Sequence, residues 1–127
     1  MTKHEHMPHM VIVGAGAVGT VLAVRLYHAG HRVTLAGRPG SKTGTRHVRL
    51  LHEDREEQAT LPTIPVDTVS PPDDAIVCVC VKAHSTASVA GAGGALLQAP
   101  RLIVSAQNGA GNIEHLAAVS HAPLVLA

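Results

Sequence analysis

Glycines at positions 14, 16 and 19 leave backbone amides uncovered at the Gly-x-Gly-x-x-Gly spacing, which suits a diphosphate. Gly14 permits a tight turn, Gly16 has no Cβ to hold a pyrophosphate away from the main chain, and Gly19 lets a helix pack close on a strand. Ala15, Ala17 and Val18 fill the intervening positions, and the free amides at the helix N-terminus face the phosphates. Three further side chains could complete such a site: the Arg38 guanidinium, the Lys82 ammonium, and the Asn108 amide, which could meet ligand or substrate at its rim.

The glycine spacing alone is weak where Gly and Ala are frequent; its setting strengthens it. Met10-Val11-Ile12-Val13 reads as a short buried strand running into the turn. After it, Val21, Leu22, Val24 and Leu26 recur at helical spacing until Gly30 stops the run. Arg32-Val33-Thr34-Leu35-Ala36 reads as a second strand, Ala75 to Val81 as a buried strand ending at Lys82, and Leu102 to Ala106 as another, ending at Gln107-Asn108-Gly109. In open α/β sheets ligands lie beyond the carboxyl ends of the strands, where Gly16, Lys82 and Asn108 all fall. A helix over residues 86–97 is diluted by Gly91, Gly93 and Gly94 and is expected to be short or bent. One more helix follows over residues 113–119, then a strand over residues 123–127. His47-Val48-Arg49-Leu50-Leu51 fits a strand or a helix end, and Glu53 to Glu57 a solvated charged loop. Thr60 to Val66 holds Pro62 and Pro65, which points to an edge or an irregular segment, and a small antiparallel excursion beside the main sheet accommodates both tracts.

The tract after the second strand decides the ligand. An acidic residue about 20 residues beyond the glycines would hydrogen-bond an adenosine ribose. Here the residues are Gly37-Arg38-Pro39-Gly40-Ser41-Lys42-Thr43, with no acid. A guanidinium takes a phosphate through paired hydrogen bonds, so the reading is NADP(H) over NAD(H), with Arg38 reading the 2′-phosphate and Ser41 and Lys42 adding a donor and a charge.

Composition agrees with a doubly wound, mostly parallel α/β sheet of the Rossmann type. Of 127 residues, 46% are hydrophobic, and Tyr27 is the only aromatic, so the core is built of Val, Leu, Ile and Ala, as expected of parallel strands under helices. With no other ring to stack on bases, nucleic-acid binding is not expected. Net charge is +1, yet no carboxylate falls between Glu5 and Glu53 while Arg25, Arg32, Arg38, Lys42, Arg46 and Arg49 do, an excess suited to an anionic ligand. Taken singly, Arg25, Arg46 and Arg49 read as solvated surface. Cys78 and Cys80 alternate with valines and read as small core residues of a reducing, cytoplasmic compartment. No membrane span or secretory signal is apparent. Residues 1–9, with His4, His6 and His9, are expected to form a mobile extension without a metal site. Residues 10–127 are expected to form the nucleotide-binding domain.

The glycine motif, Gly37-Arg38, Val81-Lys82-Ala83-x-x-Thr86 and Gln107-Asn108-Gly109-x-Gly111 together resemble the N-terminal domain of ketopantoate reductase (2-dehydropantoate 2-reductase), over residues 10–127. Glycerol-3-phosphate dehydrogenase and 6-phosphogluconate dehydrogenase are weaker matches. The resemblance implies NADPH-dependent reduction of 2-dehydropantoate, a 2-keto acid, to pantoate, a step toward pantothenate and coenzyme A. It also implies cofactor contacts from Gly14, Ala15, Gly16, Ala17, Val18, Gly19, Arg38, Lys82 and Asn108, with Asn108 also meeting substrate. In that family the general acid is a lysine on a second, helical domain, which is expected to be absent here, so no catalytic residue is assigned. A chain of this kind is expected to bind NADP(H), to need a supplied second domain for turnover, and to self-associate through the uncovered docking face. The alternative is a stand-alone module that senses NADP(H) or works with a separate catalytic partner.

Overall fold

Buried on every residue, β1 (Met10–Val13) sends Met10 and Ile12 to one face of the sheet and Val11 and Val13 to the other. Both faces therefore need cover, and the computed structural model, which describes residues 7–14, 16–69, 74–82, 85–98, 100–107 and 112–126, supplies it with helices on each side. One core layer packs Met10, Ile12, Leu35 and Cys78 against Ala23 and Val24 of α1 (Ala17–His28). The other packs Val11, Val13, Val77, Val79 and Ile103 against residues of α2 (Thr86–Ala92), α3 (Gly94–Gln98) and α4 (Asn112–Ala117).

The remaining strands are β2 (Val33–Gly37), β3 (Gly44–His52), β4 (Arg55–Pro65), β5 (Ile76–Val79), β6 (Leu102–Ser105) and β7 (Leu124–Leu126). Among the described residues they form a seven-stranded sheet in the order β3-β4-β2-β1-β5-β6-β7. Every neighbouring pair is parallel except β3 with β4. This is the doubly wound Rossmann arrangement. The chain winds outward from β1 on one side through β2 and on the other through β5, which opens a crevice at the C-terminal end of β1.

Several expectations are corrected. Glu53 and Asp54 alone make the turn of the antiparallel hairpin, and Arg55 to Glu57 belong to β4. Despite its two prolines, β4 is an interior strand: only Thr63 to Pro65 align with β2, so Pro62 falls where β4 has β3 alone beside it, and Pro65 ends the strand. In α1, Val21 is 41% exposed, and the inward positions are Gly19, Ala23 and Val24, small side chains that let the helix lie close to the sheet. The glycine-rich helix, expected to be short or bent, is indeed broken, at Gly93, where an added Cβ would stand 2.6 Å from Leu97 Cδ1 and 2.9 Å from the Val89 carbonyl oxygen. The docked chain also begins ahead of residue 10. His9 Nε2 is bonded to Thr34 Oγ1 at 2.7 Å, its carbonyl accepts the Ile76 N–H, and burial holds its imidazole below the usual pKa. The expectation for residues 1–6 lies outside the described residues, and no helix among the described residues is long and apolar enough to cross a membrane.

Candidate functional site

A cleft of about 920 Å³ lies over the C-terminal ends of β1, β2 and β5. Its floor is the turn from β1 into α1. Gly14 has φ +92°, and a Cβ on it would stand 2.8 Å from the Val81 backbone nitrogen, so both conformation and space demand glycine. A Cβ on Gly19 would fall 1.9 Å from the Gly14 carbonyl oxygen, so the first turn of α1 sits directly on the loop. At Gly16, by contrast, nothing lies within 4 Å of where a Cβ would project, and this residue lines the cleft. It is also the N-cap of α1 and supplies no side-chain cap, and the first turn holds no acidic residue. Backbone amides and the positive end of the helix dipole are thus available to an anion, and the cradle fits a diphosphate. Ala17 and Val18 begin α1 and are exposed, without lining the cleft; Ala15 lies outside the described residues.

Arg38 reaches the cleft from the turn that follows β2. Pro39 and Gly40, the latter at φ +77°, occupy the central positions of that turn, and the Ser41 N–H donates to the Arg38 carbonyl at 3.1 Å, the pattern of a type II turn. The Ser41 hydroxyl donates to the same carbonyl at 2.6 Å, so it serves the turn and not the ligand, and Lys42 is exposed outside the cleft lining. Lys82 is exposed on the opposite wall, beyond β5. Gly14, Gly16, Arg38 and Lys82, widely separated in sequence, are therefore brought together. Asn108 lies outside the described residues.

Two features of the cleft escape the reading from sequence. Arg46, expected to be solvated surface, lines it from β3. The signal was present in the alternation Arg46, Val48, Leu50, once the segment is known to return antiparallel. Cys80 also faces the cleft, and burial, with Cys78 nearby, pushes its thiol up to about 11, so it is protonated at neutral pH and is no nucleophile. The described lining holds Arg38, Arg46 and Lys82 and no carboxylate, a field that attracts phosphates.

Behind Lys82, the buried Gln107 side chain locks the wall. Its Nε2 donates to the Val81 carbonyl and to Thr86 Oγ1, both at 2.7 Å, and its Oε1 accepts the Ser105 hydroxyl at 2.9 Å. The glutamine of the Gln-Asn-Gly tract thus joins the ends of β5 and β6 to the start of α2.

Comparison with known proteins gives consistent matches. The family model described as "Ketopantoate reductase PanE/ApbA" matches residues 10–127. A PanE/ApbA family ketopantoate reductase from Ralstonia eutropha superposes with a TM-score of 0.73 at 31% identity, covering 92% of this chain and 40% of that one. D-mandelate dehydrogenase, solved with NADH and anilino(oxo)acetate, superposes with a TM-score of 0.72 at 18% identity over 88% of this chain and 37% of that one, a likeness of fold. The glycerol-3-phosphate dehydrogenase [NAD(P)+] of Alkalilimnicola ehrlichii is 43% identical over 72 residues, which make up 54% of this chain and 20% of that protein. The chain thus spans about a fifth of that relative's length and two fifths of the Ralstonia structure.

Proposed function

Since the chain belongs to the ketopantoate reductase PanE/ApbA family, we propose that it is the NADP(H)-binding part of a 2-dehydropantoate 2-reductase, serving a step toward pantothenate in the cytoplasm. One observation carries this reading: the open glycine cradle at Gly16 and the Arg38 turn share a single cleft whose described lining has no carboxylate. The amides at the start of α1 hold the diphosphate, and the Arg38 guanidinium takes the 2′-phosphate through paired hydrogen bonds. Lys82, on the wall beyond β5, places a positive charge at the nicotinamide end, and Asn108 is assigned to meet the nicotinamide amide or the substrate. When bound, the nicotinamide supplies a hydride to the keto carbon. The developing alkoxide also needs a proton donor aimed at it, a role that this reading gives to none of the residues lining the cleft.

Calorimetric titration tests this. NADPH is expected to bind at least about tenfold more tightly than NADH, and Arg38→Ala is expected to weaken NADPH selectively while leaving NADH nearly unchanged, since a hydrogen bond to a charged group contributes about 1.5–3 kcal/mol. Equal losses for both dinucleotides would take Arg38 out of this role. The 127-residue chain is expected to bind NADPH without reducing 2-dehydropantoate, and robust turnover would overturn the need for a further proton donor.

A further inference from the structure

Because β3 runs against all the other strands, its first residues arrive at the edge of the sheet where the parallel strands end. Gly44 stands opposite Thr63, which is itself opposite Leu35 of β2, and Arg46 stands opposite Leu61. By alternation, Arg46 shares a face with Val48 and Leu50, which pack into the core layer beneath α1. One step nearer the cleft that layer ends, and Arg46 is exposed and lines the cavity together with Arg38 and Gly16.

Its charge is uncommitted. Arg25 is 3.1 Å from Glu57 and Arg49 is paired with Glu56, whereas Arg46 has no carboxylate partner among the described residues. Its backbone is fixed by the continuous register of β3 on β4 from Gly44 to His52. α1 grips the same hairpin through the Arg25–Glu57 pair and through His28 Nε2, which donates to the Gln58 carbonyl at 2.9 Å. Arg38 and Arg46 thus enter one cleft from two different elements, a turn and a strand. A phosphomonoester dianion has oxygens and charge enough for two guanidinium groups, whereas an unphosphorylated ribose offers them neutral hydroxyls and no charge.

We infer that Arg46 is a second arginine reading the 2′-phosphate of NADP(H), a specificity-determining residue held out by the hairpin. The inference rests on the NADP(H) reading above. Its test is titration of NADPH, NADH and 2′,5′-ADP into the wild-type chain and into Arg46→Ala, Arg46→Glu, Arg46→Lys and Arg38→Ala. Arg46→Ala is expected to weaken NADPH and 2′,5′-ADP by about tenfold, with NADH changed by less than about twofold. Arg46→Glu weakens NADPH further by like-charge repulsion, and Arg46→Lys recovers part of the loss. The side chain is exposed, so thermal denaturation of the variants is expected to match wild type. Equal weakening of both dinucleotides would mean that the guanidinium packs on the adenine, and no change would mean that it touches neither; each result overturns the inference. If Arg38→Ala relaxes the preference for NADPH and Arg46→Ala does not, Arg46 alone falls. A wild-type chain that does not prefer NADPH removes the underlying reading and Arg46 with it.

Discussion

A methyl group added at Gly16 would meet open space, while one added at Gly19 would land on the Gly14 carbonyl oxygen. The two positions thus separate binding from stability. Gly16→Ala is expected to unfold within about 1 kcal/mol of wild type, the cost of a poorer N-cap, yet to lose at least about tenfold in NADPH affinity because the methyl occupies the diphosphate's space. Gly19→Ala gains helix propensity but forces the first turn of α1 off the loop, so a net loss of about 2 kcal/mol is expected in denaturant unfolding, with both dinucleotides weakened. Unchanged stability in Gly19→Ala would mean that helix and loop do not meet as described. At this scale the glycines were legible from their spacing: Gly14 is demanded by its turn conformation and Gly19 by close packing on the loop, while Gly16 leaves open space in the cleft. Arg46 was not, because the alternation Arg46, Val48, Leu50 points it toward the cleft only once the register of β3 on β4 is known. Val21 was misjudged because apolar spacing names a stripe and leaves open which edge of the stripe faces the sheet.

Among the elements, buried apolar runs gave away the parallel strands, since a strand covered on both faces needs no polar alternation. β4 escaped because proline argues against a strand flanked on both sides, and here only the last three residues of β4 align with β2. The junction of β5, β6 and α2 was visible as a motif and not as a structure, since its meaning lies in three hydrogen bonds from one amide. Gln107→Ala leaves the Val81 carbonyl and two hydroxyls without that amide, at about 1–3 kcal/mol for each buried group that finds no substitute, and chemical denaturation is expected to show a loss of about 3 kcal/mol. Gln107→Glu sharpens the test. Its carboxylate cannot donate to the Val81 carbonyl, and burial raises the folded-state pKa of such a group above its unfolded value. The folded state then binds more protons, so the stability of this variant is expected to rise as pH falls through the raised pKa, relative to wild type. A variant whose deficit is the same at every pH would show that the side chain sits in water and not in the lock.

Over the whole sheet, the two edges are treated differently. β3 exposes Arg46, His47, Arg49 and His52 along one edge, and such charge and polarity discourage pairing with another chain. At the opposite edge β7 has the sequence Leu124-Val125-Leu126, with Val125 46% and Leu126 60% exposed and no partner strand beyond it among the described residues. Unpaired backbone groups beside exposed apolar side chains form a template for strand addition. The 127-residue chain is therefore expected to self-associate through β7, with a sedimentation coefficient that climbs with concentration. Leu126→Lys places a charge where a second copy would pack and is expected to hold the chain monomeric, with affinity for NADPH unchanged because β7 does not line the cleft. The control, His52→Lys at the guarded edge, should change neither property. A wild-type chain that sediments as a monomer at every concentration, or a Leu126→Lys variant that associates as wild type does, would clear β7 of this role.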